Sequence, residues 1–221
     1  MRVFYGFEHL PHFEHPAVTV GSYDGVHRGH QALIERLVAE AHAAGGESIV
    51  MTFEPHPRIT LGRAEGLLLL TTLDEKIALL ADLGVDNVIV IPFDRSFSAL
   101  SGREFVDRYL LGLLGAKTLV AGYNHRFGHD GLACDAPELT GRMRIVRVGP
   151  CTVDGVRVSS TVIRRLIEAG QTAEAERLLG HPLSGSLSNR IRSVPASGRA
   201  MSEAPAEQES DRLHQEQTIS K

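Results

Sequence analysis

The sequence predicts an α/β fold with a doubly wound parallel sheet, and two observations carry that prediction. Along the first 183 residues, short runs rich in Val and Ile alternate with segments of helical periodicity. Several of the short runs are apolar throughout, which is typical of parallel strands covered by helices on both faces. Ligands of such sheets bind beyond the carboxyl ends of the strands, so the post-strand segments are the first place to look for a site.

Five strands and five helices follow from these patterns. The strands are predicted at 17–21, 48–53, 87–93, 117–122 and 144–148. Helical faces occur at 33–41, 73–83 and 105–114, and the last two helices are predicted at 160–169 and 172–179. Capping boxes start two of the helices at Thr72 and Ser101, and Gly84 and Gly115 follow two helix ends.

The 221-residue chain has the composition of an ordinary globular protein, with 43% hydrophobic and 23% charged residues and a net charge of -4. This charge gives no argument for nucleic-acid binding, and no apolar run approaches the roughly 20 residues that span a bilayer. Cys134 and Cys151 cannot form a disulfide framework, and the N-terminus lacks an apolar signal core. We therefore expect a cytoplasmic protein with small-molecule partners; the sequence does not indicate its oligomeric state.

The composition changes near residue 183, which divides the chain into two parts. Residues 1–183 are predicted to form the folded domain. The segment 184–221 is rich in Ser, Glu, Gln, Arg and Ala and contains no aromatic residue. Such a segment cannot bury enough apolar surface to offset the loss of chain entropy, so a disordered polar tail is predicted.

The segment after the first strand, at 21–30, places two histidines at a helix start. Because His27 and His30 lie three residues apart, their N–H groups can converge on an anion together with the free backbone N–H groups of the helix. Gly29 between them permits close approach of a phosphate to the backbone. The alternative is that the two histidines only cap the helix.

The segments after the second and fourth strands combine prolines, an amide and aromatic rings. In 52–58, Pro55 and Pro57 predict an extended, stiff loop, which forms either a wall of a flat apolar pocket or a rigid connector. In 122–128, an amide, a cation and two aromatic rings lie between glycines. That loop suits hydrogen bonds to a phosphate or ribose and stacking on a ring; a surface turn is the alternative.

The last post-strand segment, 157–164, places Ser and Thr hydroxyls at a helix start with Arg164 in the first turn, which is either a phosphate cradle or an ordinary N-cap. The chain contains neither a G-x-x-x-x-G-K-[ST] motif nor a G-x-S-x-G motif. Phosphate-binding segments without an obvious nucleophile indicate nucleotidyl transfer. A bound phosphate would attack the α-phosphorus of ATP in line, with Mg²⁺ bridging the phosphates.

His9, His12 and His15 have a spacing that could suggest a metal site. Pro11 and Pro16 argue against one helix that would present all three side chains together. A metal site is not expected there, and Mg²⁺ is expected to be held mainly by ATP phosphates.

The four motifs, in this order, resemble those of bacterial bifunctional FAD synthetases, and specifically their N-terminal FMN adenylyltransferase module. They are Gly-x-Tyr-Asp-Gly-Val-His-x-Gly-His at 21–30, Thr-Phe-x-Pro-His-Pro at 52–57, Gly-Tyr-Asn-x-Arg-Phe-Gly at 122–128 and Ser-Ser-Thr-x-Ile-Arg at 159–164. The resemblance implies a Rossmann-like nucleotidyltransferase fold of the H-x-G-H type. It also implies that FMN and ATP are the substrates, that FAD and pyrophosphate are the products and that Mg²⁺ is the cofactor.

The resemblance assigns roles to individual residues. Catalytic roles are implied for His27, His30, Asn124 and Arg164. The ATP-binding set is Gly21, Tyr23, Asp24, Gly29, Arg157, Ser159, Ser160 and Thr161. The flavin-binding set is Pro55, His56, Pro57, Asn124, His125 and Phe127.

The chain departs from the family pattern in two places. Position 125 is His where the family usually has an aromatic residue such as Phe. The riboflavin kinase module, which in the family follows the equivalent of residue 182, has no counterpart in the tail, so no riboflavin kinase activity is expected. Two other functions stay open: a related nucleotidyltransferase for another phosphate ester (a modified flavin phosphate or a pantetheine phosphate), and a non-catalytic flavin- or nucleotide-binding protein.

Overall fold

A computed structural model describes residues 1–183 together with residues 185 and 187. Its centre is a sheet of six parallel strands, which confirms the predicted α/β class. In chain order the strands are β1 Arg2–Tyr5, β2 Ala17–Val20, β3 Ser48–Glu54, β4 Asn87–Pro92, β5 Thr118–Gly122, β6 Arg126–Phe127, β7 Leu132–Ala133, β8 Arg144–Val148, β9 Thr152–Val153 and β10 Val156–Arg157. The six-stranded sheet has the order β1-β4-β3-β2-β5-β8, while β6-β7 and β9-β10 form two small hairpins.

Helices cover both faces of the sheet, as the doubly wound arrangement requires. The helices are α1 Arg28–Ala43, α2 Pro57–Thr60, α3 Leu73–Asp82, α4 Arg95–Ser98, α5 Gly102–Phe105, α6 Pro137–Thr140, α7 Ser160–Glu168 and α8 Thr172–Leu179, and a π-helix, Val106–Leu113, continues α5. One buried cluster packs α1 and α3 against one face of the sheet. A second cluster packs α5 and the π-helix against the other face.

The order of the strands reverses between β2 and β5, and the sheet opens there. From β2 the chain adds β3 and β4 on one side, and it then crosses to place β5 on the other side. These two strands pair only at Ala17 with Thr118 and at Val18 with Leu119. Beyond that point the Thr19 hydroxyl donates to the Val120 carbonyl at 2.7 Å. The carboxyl ends of β2 and β5 therefore border a crevice, where ligands of such sheets bind.

The local signals for helix ends are confirmed. Thr72 and Ser101 form complete capping boxes at the starts of α3 and α5. Gly84 and Gly115 have φ angles of 77° and 62°, the left-handed conformation that glycine adopts without a Cβ clash. The sequence analysis missed β1, which pairs with β4 at the sheet edge; its half-exposed pattern lacks the continuous apolar run of the buried strands.

A third buried cluster joins α7 and α8 to the segment before α3 and includes Leu70, Ile163 and Leu179. Leu187 is also buried in this cluster. Apart from residues 185 and 187, the predicted tail at 184–221 lies outside the described residues. In the described part of the chain, no helix is both long and apolar enough to cross a membrane.

Candidate functional site

A cleft of 330 Å³ lies at the carboxyl ends of β2, β5 and β8, at the point where the strand order reverses. Three of the four predicted segments contribute to its walls. Of the predicted residues, the cleft is lined by Gly21, Tyr23, His27, Gly29, His30, Asn124, His125, Arg157 and Ser159. The prediction that segments distant in sequence meet at one end of the sheet is therefore confirmed for this group.

His27 and His30 stand at the N-terminus of α1, where the helix begins directly after the β2 loop. Their rings stack with centroids 3.6 Å apart and planes 13° apart. His27 is the N-cap, and its Nδ1 accepts a hydrogen bond from the backbone N–H of His30 at 3.3 Å. A Cβ at Gly29 would lie 3.3 Å from the His27 ring, so glycine keeps this turn open beside the imidazole. His27 therefore caps the helix and also lines the cleft, so both interpretations of the histidine pair are true of this residue.

Both imidazoles are neutral near pH 7. Burial lowers the pKa of His27 to about 4, and the nearby Arg164 guanidinium adds to this shift. Burial also lowers the pKa of His30 well below its usual range, with His27 and Lys76 adding to the effect. His30 Nδ1 is buried without a hydrogen-bond partner among the described residues. Two neutral rings at a helix N-terminus can donate hydrogen bonds to an anion without a permanent charge of their own.

The loop after β5 is held rigidly at both ends. The His125 N–H donates to the Gly122 carbonyl at 3.0 Å, and the Tyr123 N–H donates to the Val148 carbonyl at 2.9 Å. Gly128 pairs with Ser101 in an isolated bridge. Asn124 is exposed at the tip of this turn, with its amide available to a ligand in the cleft.

The β9–β10 hairpin and the start of α7 form the outer wall of the cleft. The Arg157 guanidinium lies 4.8 Å from the centroid of the Tyr123 ring, which places a cation and an aromatic face together over the cleft. Ser159 is the N-cap of α7, and its hydroxyl accepts a hydrogen bond from the Val162 N–H at 3.2 Å.

Asp24, Ser160 and Arg164 pack together beneath the cleft rather than along its surface. The Arg164 guanidinium forms an ion pair with the Asp24 carboxylate and donates from Nε to the Leu68 carbonyl at 2.7 Å. Asp24 Oδ1 also accepts from the Leu70 N–H at 2.9 Å, and the Ser160 hydroxyl donates to the Asp24 carbonyl at 3.0 Å. These contacts join the first loop to the N-terminus of α7.

Thr161 lies at the exposed start of α7 and takes no part in lining the cleft.

A second cavity, of 440 Å³, adjoins the cleft, and five phenylalanines contribute to its lining. Its aromatic residues are Phe53, Phe93, Phe97, Phe105 and Phe127. Phe97 is central to them, with ring centroids 5.8 Å from Phe93 and 5.9 Å from Phe105. Val20 and His125 line both cavities, so they form the wall between the polar cleft and this aromatic cavity.

The segment after β3 differs from the extended loop that its prolines predict. Pro57 is the first residue of the short helix α2, and His56 is its N-cap, accepting from the Arg58 N–H at 3.2 Å. The prediction of an extended loop is wrong here because a proline fits the first helical position, where its missing N–H costs nothing. Pro57 lines the aromatic cavity, His56 is half-buried and Pro55 is exposed.

Two features of the site escaped the sequence analysis. Phe93 and Phe97 follow the carboxyl end of β4 and line the aromatic cavity, but neither is among the predicted site residues. Lys76, on α3, is 5% exposed and donates to the Thr52 hydroxyl at 3.3 Å. Burial lowers its pKa, while Asp24 and Glu54 oppose the shift. No pattern in the sequence distinguishes this lysine from a solvated one, because its burial depends on tertiary packing.

Among the described residues, no group of three or more His, Cys, Asp or Glu side chains could hold a metal ion. His9 and His15 have positive φ angles of 60° and 38° in the loop before β2. Cys134 and Cys151 are both free thiols, and Cys151 lines the cleft.

Comparison with known proteins agrees with this architecture. A model of the FAD synthetase family matches residues 10–162. A bifunctional riboflavin kinase/FMN adenylyltransferase from Listeria monocytogenes is 38% identical over 169 residues, which are 75% of this chain and 54% of that protein. The protein of the same description from Escherichia coli K12 is 36% identical over 178 residues, 79% of this chain and 56% of its own length.

This chain therefore spans about half the length of these two curated relatives. A solved structure described as a macrolide-efflux protein from Streptococcus pneumoniae has a TM-score of 0.74 at 28% identity, covering 82% of this chain and 60% of that one. The family model covers more than half of the chain and includes the residues of the cleft from β2 to α7. The chain belongs to the FAD synthetase family.

Proposed function

We propose that this chain transfers the adenylyl group of ATP to the phosphate of FMN, giving FAD and pyrophosphate. The observation that carries this proposal is the pair of adjoining cavities. One is polar and has a helix N-terminus and two stacked histidines; the other is lined by five phenylalanines. A helix N-terminus favours phosphate, and aromatic walls favour a flat ring system. A reaction that joins a nucleotide to a flavin through their phosphates needs both environments side by side.

The FMN phosphate is already ionised near pH 7, so no general base is needed. One of its oxygens attacks the α-phosphorus of ATP; the bond between that phosphorus and the bridging oxygen breaks, and pyrophosphate leaves with the bonding electrons. His27, His30 and the α1 N-terminus donate hydrogen bonds to the phosphate oxygens as negative charge increases in the transition state. Asn124 lines the same cleft, and in this scheme its amide orients one of the reacting phosphates.

The Asp24–Arg164 pair has a positioning role in this scheme. It fixes the first loop to α7 and brings the Arg164 charge close enough to His27 to affect its pKa. In this scheme Mg²⁺ would be held mainly by the phosphate oxygens of ATP, where it would neutralise charge.

The test is incubation of the purified chain with ATP, Mg²⁺ and FMN, followed by chromatography for FAD and an assay for pyrophosphate. Equal amounts of FAD and pyrophosphate are expected. Riboflavin in place of FMN tests the prediction that the chain has no riboflavin kinase activity, since FAD would then be absent. Pyrophosphate release with another phosphate ester but not with FMN would contradict the proposal and favour a related nucleotidyltransferase. Flavin binding without any turnover would favour a non-catalytic binding protein.

A further inference from the structure

Among the described residues that line both cavities, only His125 has a polar side chain. The other shared residue, Val20, is apolar. The backbone fixes this position, because the His125 N–H closes a turn with Gly122 and the bridge from Gly128 to Ser101 anchors the end of the loop. Any ligand that extends from the cleft into the aromatic cavity must pass beside this imidazole.

The imidazole has a hydrogen-bonding group that the described protein does not use. His125 Nε2 is buried and has no hydrogen-bond partner among the described residues. The ring packs edge-to-face on Phe127, with centroids 4.5 Å apart. An unpaired buried polar atom is costly, so a ligand that supplies its partner gains free energy on binding. Because Nε2 is buried, the ring has to rotate about its Cβ–Cγ bond, a torsion with broad preferences, before a ligand can reach this atom.

The chemistry of the missing partner follows from the state of the ring. Burial lowers the pKa of His125 to about 4, so the ring is neutral near pH 7 and has one N–H donor and one acceptor nitrogen. The ring has no charge and, unlike His27 and His30, does not stand at a helix N-terminus that would favour a phosphate over other groups. A hydroxyl both donates and accepts, so it can pair with the nitrogen in either tautomer.

We propose that His125 binds a hydroxyl of the ribityl arm of the flavin, and that this hydrogen bond lets the site distinguish ribityl-bearing flavins from the bare isoalloxazine ring. The inference rests on the proposed function, which places the phosphates in the cleft and the ring in the aromatic cavity. The ribityl arm joins these two parts of FMN, so it lies at the shared wall. In this account His125 determines substrate specificity and does not take part in the transfer of the adenylyl group.

The test compares riboflavin with lumiflavin, which has the same ring but a methyl group in place of the ribityl arm. Neither ligand has a phosphate, so the comparison isolates the arm from the cleft. Dissociation constants are measured by quenching of flavin fluorescence for the wild-type chain, His125→Phe and His125→Gln. Phe keeps a ring against Phe127 without a polar atom, and Gln keeps an N–H and a carbonyl.

We expect His125→Phe to weaken riboflavin binding about three- to tenfold, the effect of one neutral hydrogen bond, and to leave lumiflavin binding unchanged. His125→Gln should recover part of the riboflavin affinity. The matched control is His12→Phe, at an exposed histidine that lines neither cavity, and it should leave both constants unchanged.

Equal weakening of both flavins by His125→Phe would overturn the proposal, because the residue would then support the ring or the fold. Unchanged riboflavin binding would overturn it as well. These outcomes are independent of turnover: if the wild-type chain forms no FAD from FMN, the proposed function fails, whereas the riboflavin-to-lumiflavin ratio still decides the role of His125.

Discussion

The polar cleft and the aromatic cavity lie on either side of one wall, but the chain builds them in different ways. The cleft is made from loops that directly follow β2, β5 and β8, and from the first turn of α1. The aromatic cavity is made from side chains on β3, α4, α5 and β6 and on the segment after β4, which pack on one another. The cleft depends on the backbone at the strand ends, which a parallel sheet always brings together. The aromatic cavity depends on the packing of individual rings.

This difference predicts how each region responds to substitution. Side chains in the cleft stand on a backbone that other elements fix, so removing one should change chemistry more than stability. Of the rings in the aromatic cavity, Phe105 and Phe127 belong to the buried cluster on one face of the sheet, and Phe53 and Phe97 pack against it. Removing one of these four rings should therefore change flavin binding and stability together.

The largest expected effect is on turnover, from His30→Ala. Loss of one preorganised donor to the reacting phosphates should lower kcat about 10²- to 10³-fold. The dissociation constant for FMN, measured by fluorescence quenching, should stay nearly the same. The matched control is His42→Ala near the exposed end of the same helix, where the side chain contacts Asp86 and lies far along α1 from the cleft. Full turnover by His30→Ala would contradict a catalytic role for this residue.

The next effect in size is on stability and flavin binding, from Phe97→Ala. The Phe97 ring contacts several other rings and packs against the buried cluster, so its loss should cost about 3 kcal/mol of unfolding free energy. The KM for FMN should rise while the KM for ATP stays constant. Phe13→Ala, at a buried ring outside both cavities, should destabilise the chain without changing the KM for FMN. An equal rise in both KM values for Phe97→Ala would show that the two regions are not separate.

The third effect is on the pH dependence of stability, from His125→Phe. The folded pKa of His125 is about 4, below the unfolded value of about 6.5, so unfolding takes up a proton as pH falls through this window. The wild-type chain should therefore lose stability as the pH falls from 6.5 to 4. At pH 5 this histidine should lower the free energy of unfolding by on the order of 2 kcal/mol. Thermal unfolding of His125→Phe should show a smaller decrease in Tm than the wild type over the same range. Parallel Tm curves for the two proteins would indicate that His125 is not buried as a neutral ring.

Much of the cleft was predictable from the sequence, because its signals are local. His27 and His30 follow an apolar run and begin a helical pattern, and a parallel sheet gathers such post-strand residues at one end. The capping boxes at Thr72 and Ser101 likewise depend on residues three apart, and both are present in the structure.

The remainder depends on tertiary packing that no local pattern encodes. The resemblance assigned Phe127 to flavin binding, and in the structure Phe127 lines the aromatic cavity. The sequence did not identify Phe93 and Phe97 as its partners, because rings from separate segments meet only after the sheet forms. Lys76 looks like a solvated helix residue until α3 packs its side chain beside Thr52. Arg164 was expected at the phosphates, and its contacts with Asp24 and Leu68 lie beneath the cleft.

The most direct test of the two-cavity account is a crystal structure of the chain with FMN and α,β-methylene ATP, in which the bond that must break cannot be cleaved. The account predicts that the nucleotide phosphates lie beside His27 and His30 and the isoalloxazine ring among the phenylalanines. A phosphate oxygen of FMN should then stand roughly 3–3.5 Å from the α-phosphorus, in line with the leaving oxygen. A flavin ring bound in the polar cleft, or outside both cavities, would contradict the account.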